Sequence, residues 1–184
     1  TKYLGDNPAN PIIEVAAGYH HSVALAADGT VYGFGNNANG ELGDLTTTNR
    51  NLPVRMTKGL YTGISSIADY PYNPIIDIEA GLYHTLALAT DGTVYSVGYN
   101  AFGQLGDNTG TSRTSPVRVL EGLYNGNTFL GDNPSNPIIS ISSGLYHSMA
   151  LAANGGVYTF GYNFNGQLGD NTSTNRYTPV QVLK

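Results

Sequence analysis

The sequence repeats itself every 63 residues, with no insertion or deletion between copies. His21, His84 and His147 keep this step, as do Pro11, Pro74 and Pro137, then Arg50, Arg113 and Arg176. Five glycine positions occur in all three copies and three more occur in two, which accounts for 21 of the 24 glycines. The glycine excess is therefore a backbone requirement stamped out at fixed places, and not the composition of a flexible linker. Three repeats follow, at residues 1–63, 64–126 and 127–184, read as one continuous array. Lys184 aligns with Lys58 and Glu121, so the third copy stops five residues short of a full period. Starting at Thr1 with no leader motif, the chain reads as a processed or excised piece. Residues 1–13 match 127–139 at 9 of 13 positions but 64–76 at only 6, a hint that the connectors alternate.

Each unit reads as short strands separated by turns. In the first, Ile12 to Ala16, Ser22 to Ala26 and Val31 to Phe34 are apolar or alternating runs. Asp28-Gly29 separates the last two, and Asp91-Gly92 and Asn154-Gly155 repeat it. Such pairs favour tight hairpins, because glycine accepts the positive φ that matches strand twist. A fourth strand is expected just after each mid-unit proline, over 54–56, 117–120 and 180–183, with the proline at its start. No segment sustains a 3.6-residue period, so helix content should be very low. Four short antiparallel strands per repeat suggest a propeller blade, although other four-stranded repeats satisfy the same pattern.

The residues narrow the choice. Gly18-Tyr19-His20-His21-Ser22-Val23-Ala24-Leu25, then Asp28-Gly29-Thr30-Val31-Tyr32, then Gly35 to Gly43 follow one another closely. The last segment returns as Gly98 to Gly106 and Gly161 to Gly169, each ending Gly-Gln-Leu-Gly. This order resembles the regulator of chromosome condensation repeat family and covers nearly all of every unit. The resemblance implies an all-β fold, a β-propeller of four-stranded blades, most often seven. Phe34, Val97 and Phe160 stand where that family commonly has tryptophan. The repeat is also longer than the family's usual unit of roughly 50 residues, and the surplus lies in the connectors. Three blades form an incomplete ring, since propellers use about 4–8.

Composition excludes several classes. A net charge of −5 does not suit a nucleic-acid binder. The absence of cysteine removes disulfide scaffolds, thiol catalysis and cysteine-ligated zinc. Apolar runs of about five residues are far below the roughly 18 needed to span a membrane as a helix. There is no Gly-x-Ser-x-Gly elbow, no His-Glu-x-x-His and no phosphate-binding loop, so no enzyme activity, cofactor or metal is expected.

His21, His84 and His147 are the first candidates for chemistry. The preferred reading is structural: each sits at a strand start and hydrogen-bonds a neighbouring loop or blade, rather than ligating a metal. The same structural role is expected of Gly35, Gly98 and Gly161, and of Gly43, Gly106 and Gly169. Asn37, Asn39, Gly40 and Asp44 recur as Asn163, Asn165, Gly166 and Asp170 and resemble a calcium loop only loosely. Phe102 breaks the pattern in copy two, and no bidentate glutamate follows, so tight-turn architecture is preferred. Arg50, Arg113 and Arg176, with five donors each, are expected to staple one blade to the next. Tyr61, Tyr70, Tyr72 and Tyr124 in the connectors are the candidates for contact with a partner.

These features point to a non-enzymatic structural or interaction module. Its expected partner is itself, as a closed oligomeric propeller or a head-to-tail filament, with other proteins or glycans as further partners. A carbohydrate-binding or adhesive propeller is the second reading. A regulator of a small GTPase or of chromatin, implied by the resemblance, is the third. Sparse charge and richness in Asn, Thr, Gly and Tyr suggest an extracellular or cell-surface setting.

Overall fold

A computed structural model describes residues 3–57, 73–122 and 129–184. These form three four-stranded antiparallel sheets and no helix. The first contains β1 (Ile12–Ala17), β2 (His21–Ala26), β3 (Val31–Gly35) and β4 (Arg50–Arg55). The second contains β5 (Ile75–Ala80), β6 (His84–Ala89), β7 (Val94–Gly98) and β8 (Arg113–Arg118). The third contains β9 (Ile138–Ser143), β10 (His147–Ala152), β11 (Val157–Gly161) and β12 (Arg176–Gln181). Spatial order equals chain order in each, the up-and-down meander of a propeller blade.

Local chemistry explains the connections. At the β2–β3 hairpin, Gly29 adopts φ +85° and the Asp28 carboxylate accepts from the Thr30 amide at 2.8 Å. The turn thus closes on its own side chain. The first strand of each blade carries a bulge, seen where the register slips between Ile75 and Asp77. That extra residue lets Ile75 and Ile78 both enter the core, although three positions apart on a regular strand would face opposite ways.

The fourth strand corrects the sequence reading. It opens at Arg50, Arg113 and Arg176, and the proline is its fourth residue, not its start. Pro53 falls within the irregular stretch between the Gly33–Val54 and Gly35–Arg50 pairs. The strand is also the outer edge of its sheet, so the missing amide leaves no ladder partner stranded.

The apolar cores lie between blades. Val23, Leu25, Val31 and Met56 of blade one meet Ile75, Ile78 and Val97 of blade two. Leu86, Leu88, Val94 and Val119 of blade two meet Ile138, Ile141, Tyr158 and Phe160 of blade three. Each fully buried leucine is worth about 1.5–3 kcal/mol, and a single sheet could not bury it alone. The blades therefore stabilise one another, as in other stacked repeats.

Candidate interaction surface

The joint between blades is built from the repeated histidine. His21 opens β2, and its Nε2 lies 3.0 Å from the Thr85 hydroxyl of blade two. That hydroxyl donates to the Glu41 carbonyl of blade one at 2.8 Å. Its one proton being used, it accepts from His21, which fixes the imidazole as the Nε2–H tautomer. Blade two repeats the arrangement toward blade three, with His84 Nε2 3.0 Å from Ser148 Oγ and Ser148 donating to the Gln104 carbonyl at 2.8 Å. Nδ1 of both rings is buried with no partner, and Gly18 and Gly81 leave the space their rings fill. Burial holds His21 down at about 4. His84 is held at about 3, by burial first and then by His21 and His147. His147 is lowered by burial as well. These are neutral structural rings.

The long β3–β4 loops are organised by an asparagine. The Asn37 amide group is fully buried and donates to Asp44 Oδ1 at 2.9 Å and to the Thr46 and Thr48 carbonyls at 3.1 Å each. Its oxygen accepts from the Leu42 amide at 3.0 Å. Asn100 and Asn163 do the same in the other blades. An NH2 group thus occupies the middle of the ring of oxygens that the sequence compared with a calcium loop. No group of three or more metal-binding side chains occurs among the described residues.

Arg50, Arg113 and Arg176 do not staple blades. Each guanidinium pairs with the aspartate of its own loop, Arg50 with Asp44 at 2.6 Å, Arg113 with Asp107 at 2.6 Å and Arg176 with Asp170 at 2.6 Å. The reach is local because only six residues separate the partners. Backbone makes the crossing instead: the Leu45 amide donates to the Thr114 carbonyl, and the Asn108 amide to the Tyr177 carbonyl, both at 2.8 Å. Gly35, Gly98 and Gly161 end the third strands at φ of 105–108°, packed on the backbone around the repeated histidines. Gly43, Gly106 and Gly169 hold φ of 63–64° and sit against Met56, Val119 and Val182.

The expected contact residues Tyr61, Tyr70, Tyr72 and Tyr124 lie outside the described residues. The structure shows another aromatic surface, on the face that carries the histidine and asparagine loops. Tyr83, Tyr99, Phe102, Tyr146 and Tyr162 are half-buried and connect through ring centroids 5.1–6.4 Å apart. Phe164 extends the cluster at 6.4 Å from Tyr162 and is 72% exposed. The Tyr146 phenol is raised by burial and then by the neighbouring Tyr83 and Tyr99 phenols. Blade one lacks the cluster: His20 and Asn36 stand at the tyrosine positions, and Asn36 bonds Glu41. The signal was present in the sequence as loop positions where copies two and three depart from copy one.

A second polar group runs along the first strands. Glu14 is pushed up to about 7, by burial first and then by the Asp77 carboxylate. Glu79 is raised by burial and by Asp77, and accepts from Ser143 at 3.4 Å.

Comparison with known proteins places these features. The sequence pattern described as "Regulator of chromosome condensation (RCC1) repeat" matches residues 28–88, 91–151 and 154–184. A second pattern of the same description matches 12–41, 75–104 and 138–167. The human probable E3 ubiquitin-protein ligase HERC4 is 34% identical over 94% of this chain, and the Arabidopsis thaliana ultraviolet-B receptor UVR8 is 34% identical over 91%. The chain spans only 14% and 33% of those proteins' lengths. Human WBSCR16 superposes with a TM-score of 0.77 at 26% identity, over all of this chain and 42% of that one. Yeast RCC1 (Prp20), solved bound to Kap60, superposes with a TM-score of 0.67 at 22% identity, over 94% of this chain and 37% of that one.

Proposed function

Because the chain belongs to the regulator of chromosome condensation (RCC1) repeat family, we propose that it is a non-enzymatic interaction module whose partners are other proteins, further copies of itself among them. The ligase and the receptor match this chain over only 14% and 33% of their lengths, and a shared scaffold does not carry an activity with it.

The observation that supports self-association is the placement of the cores. Both clustered apolar cores lie where two blades meet, and the equivalent positions on the outward faces of blades one and three are left partly or largely open. Val15 is 74% exposed, and Leu151 and Val182 are each 36% exposed. Apolar surface of this kind marks an interaction site. The test is the particle mass of the 184-residue chain by light scattering over a range of concentrations. Species heavier than 19.4 kDa are expected. A single 19.4 kDa species with its β signal intact at every concentration overturns this reading.

The aromatic cluster favours a second use of the loop face, as a docking surface for a partner. Rings set among Asn, Thr and Gly on a rigid sheet scaffold supply large contact area with adaptable hydrogen bonding. Protein loops and neutral glycans both suit this surface. A glycan array distinguishes them, with binding that Phe164→Ala and Phe102→Ala abolish expected only in the glycan case.

A further inference from the structure

We propose that the outward face of blade three accepts blade one of a second copy of this chain, through the joint that already holds blade one to two and two to three. This rests on the self-association reading and names its atoms. The joint occurs twice in the structure with the same groups in the same roles. Its two unmatched halves stand at opposite ends of the array.

The hydrogen-bonding half-sites correspond one to one. His147 occupies the position of His21 and His84, and the described residues show no hydroxyl on its Nε2. Ser22 occupies the position of Thr85 and Ser148, on the opposite end blade. In the joint, His147 of one copy donates to Ser22 of the next, and Ser22 donates to the Gln167 carbonyl, the counterpart of Glu41 and Gln104. The Asn171 amide, counterpart of Leu45 and Asn108, donates to the Asn51 carbonyl, counterpart of Thr114 and Tyr177. Asn171 already holds the required φ, 61°, against 68° at Leu45 and 59° at Asn108.

Packing agrees. A Cβ at Gly29 would lie 2.7 Å from Pro74, and one at Gly92 would lie 2.6 Å from Pro137. Gly155 holds the same turn at φ +86° yet has nothing within 4 Å of such an atom. The proline it would meet is Pro11 of the next copy. A Cβ at Gly40 or Gly103 would lie 2.6 or 2.5 Å from the Arg113 or Arg176 carbonyl, whereas one at Gly166 would meet nothing nearer than 4.0 Å. Its partner would be the Arg50 carbonyl. Leu130 is buried between blades two and three with its amide on the Val119 carbonyl at 2.9 Å, while its counterpart Leu4 is 41% exposed. Leu4 would enter against Val182, the counterpart of Val119.

The contact is heterologous, one face to a different face. It builds a ring when the rotation closes and a filament when it does not. Chemistry does not distinguish a blade of the same chain from one on another, and a copy of this chain supplies both halves.

The test uses the 184-residue chain. Ser22→Arg places a charge where the His147 ring would lie and touches neither internal joint. The expected result is a shift of the assembled species to 19.4 kDa with the β signal retained. Since the chain has no cysteine, the double variant Pro11→Cys, Gly155→Cys reports the joint independently. Mild oxidation should give a ladder of multiples that thiol collapses, and each single variant should give no ladder. If wild type assembles but Ser22→Arg assembles equally and the double variant gives no ladder, this joint is overturned while self-association stands. If wild type never exceeds 19.4 kDa, both fall. Should Ser22→Arg fail to fold, the cysteine ladder decides alone.

Discussion

At the scale of the residue, the repeated histidine couples stability to pH. His21 and His84 are neutral in the fold, with folded values of about 4 and 3 against an ordinary 6.5. The unfolded chain therefore binds more protons as pH falls below 6.5, and the stabilisation present above that value is lost. The loss runs from about pH 6.5 to 4 for His21 and on to about 3 for His84, at about 1.4 kcal/mol per pH unit for each group. Glu14 opposes this, because its raised value makes the fold bind a proton first, between about pH 7 and 4.5. Urea unfolding at pH 7, 6 and 5 should show falling stability, and Glu14→Gln should steepen the fall. A flat profile in Glu14→Gln would contradict the neutral-histidine joint. Leu45 gives a second residue-scale prediction. It holds φ 68° where the other copies have asparagine, a conformation that a branched-chain residue adopts with strain of about 1–2 kcal/mol. Leu45→Asn should raise stability by about 1 kcal/mol in chemical denaturation.

At the scale of the element, the β3–β4 loop depends on one amide. Asn100→Ala removes the acceptor of the Leu105 amide and the donor to Asp107 and two carbonyls. With about 1–3 kcal/mol per stranded buried group, a loss of roughly 3 kcal/mol is expected in thermal or urea unfolding. Much of this element was legible in sequence: Asn37, Asp44 and Gly40 recur in step, and turn architecture is their role. The direction of Arg50 was not, since spacing shows that a cation and an aspartate are near in sequence but not which of two loops a long side chain chooses. The fourth strand's start was missed for a related reason. Proline is a strong stop signal along a chain, but at a sheet edge its missing donor has no consequence, and only the sheet order reveals the edge. The aromatic cluster also escaped, because its members are scattered through the sequence and converge only when blades two and three stack.

At the scale of the whole molecule, one repeat position can have different consequences in different blades. Gly92→Ala drives a methyl group into Pro137 and strains φ +90°, so a loss of roughly 3 kcal/mol or more is expected. Gly155→Ala meets open space and should cost only the strain, about 1–2 kcal/mol. Parallel denaturation of the two variants at low protein concentration checks the difference. The array itself was the most legible feature, because a period without drift dictates blades of equal size. What covers their outer faces was less so, since burial is a property of neighbours and not of a sequence position.

The asparagine at the centre of each long loop has one more consequence. Loops that gather oxygens around a bound cation tighten and slacken with the ion content of their surroundings. Here the positive end of an amide dipole is covalently part of the chain, and no thiol is present to be oxidised. The loop face should therefore keep its shape on passing between calcium-rich and calcium-poor, or oxidising and reducing, media. Its melting temperature should be the same in chelator, in millimolar calcium and in reductant.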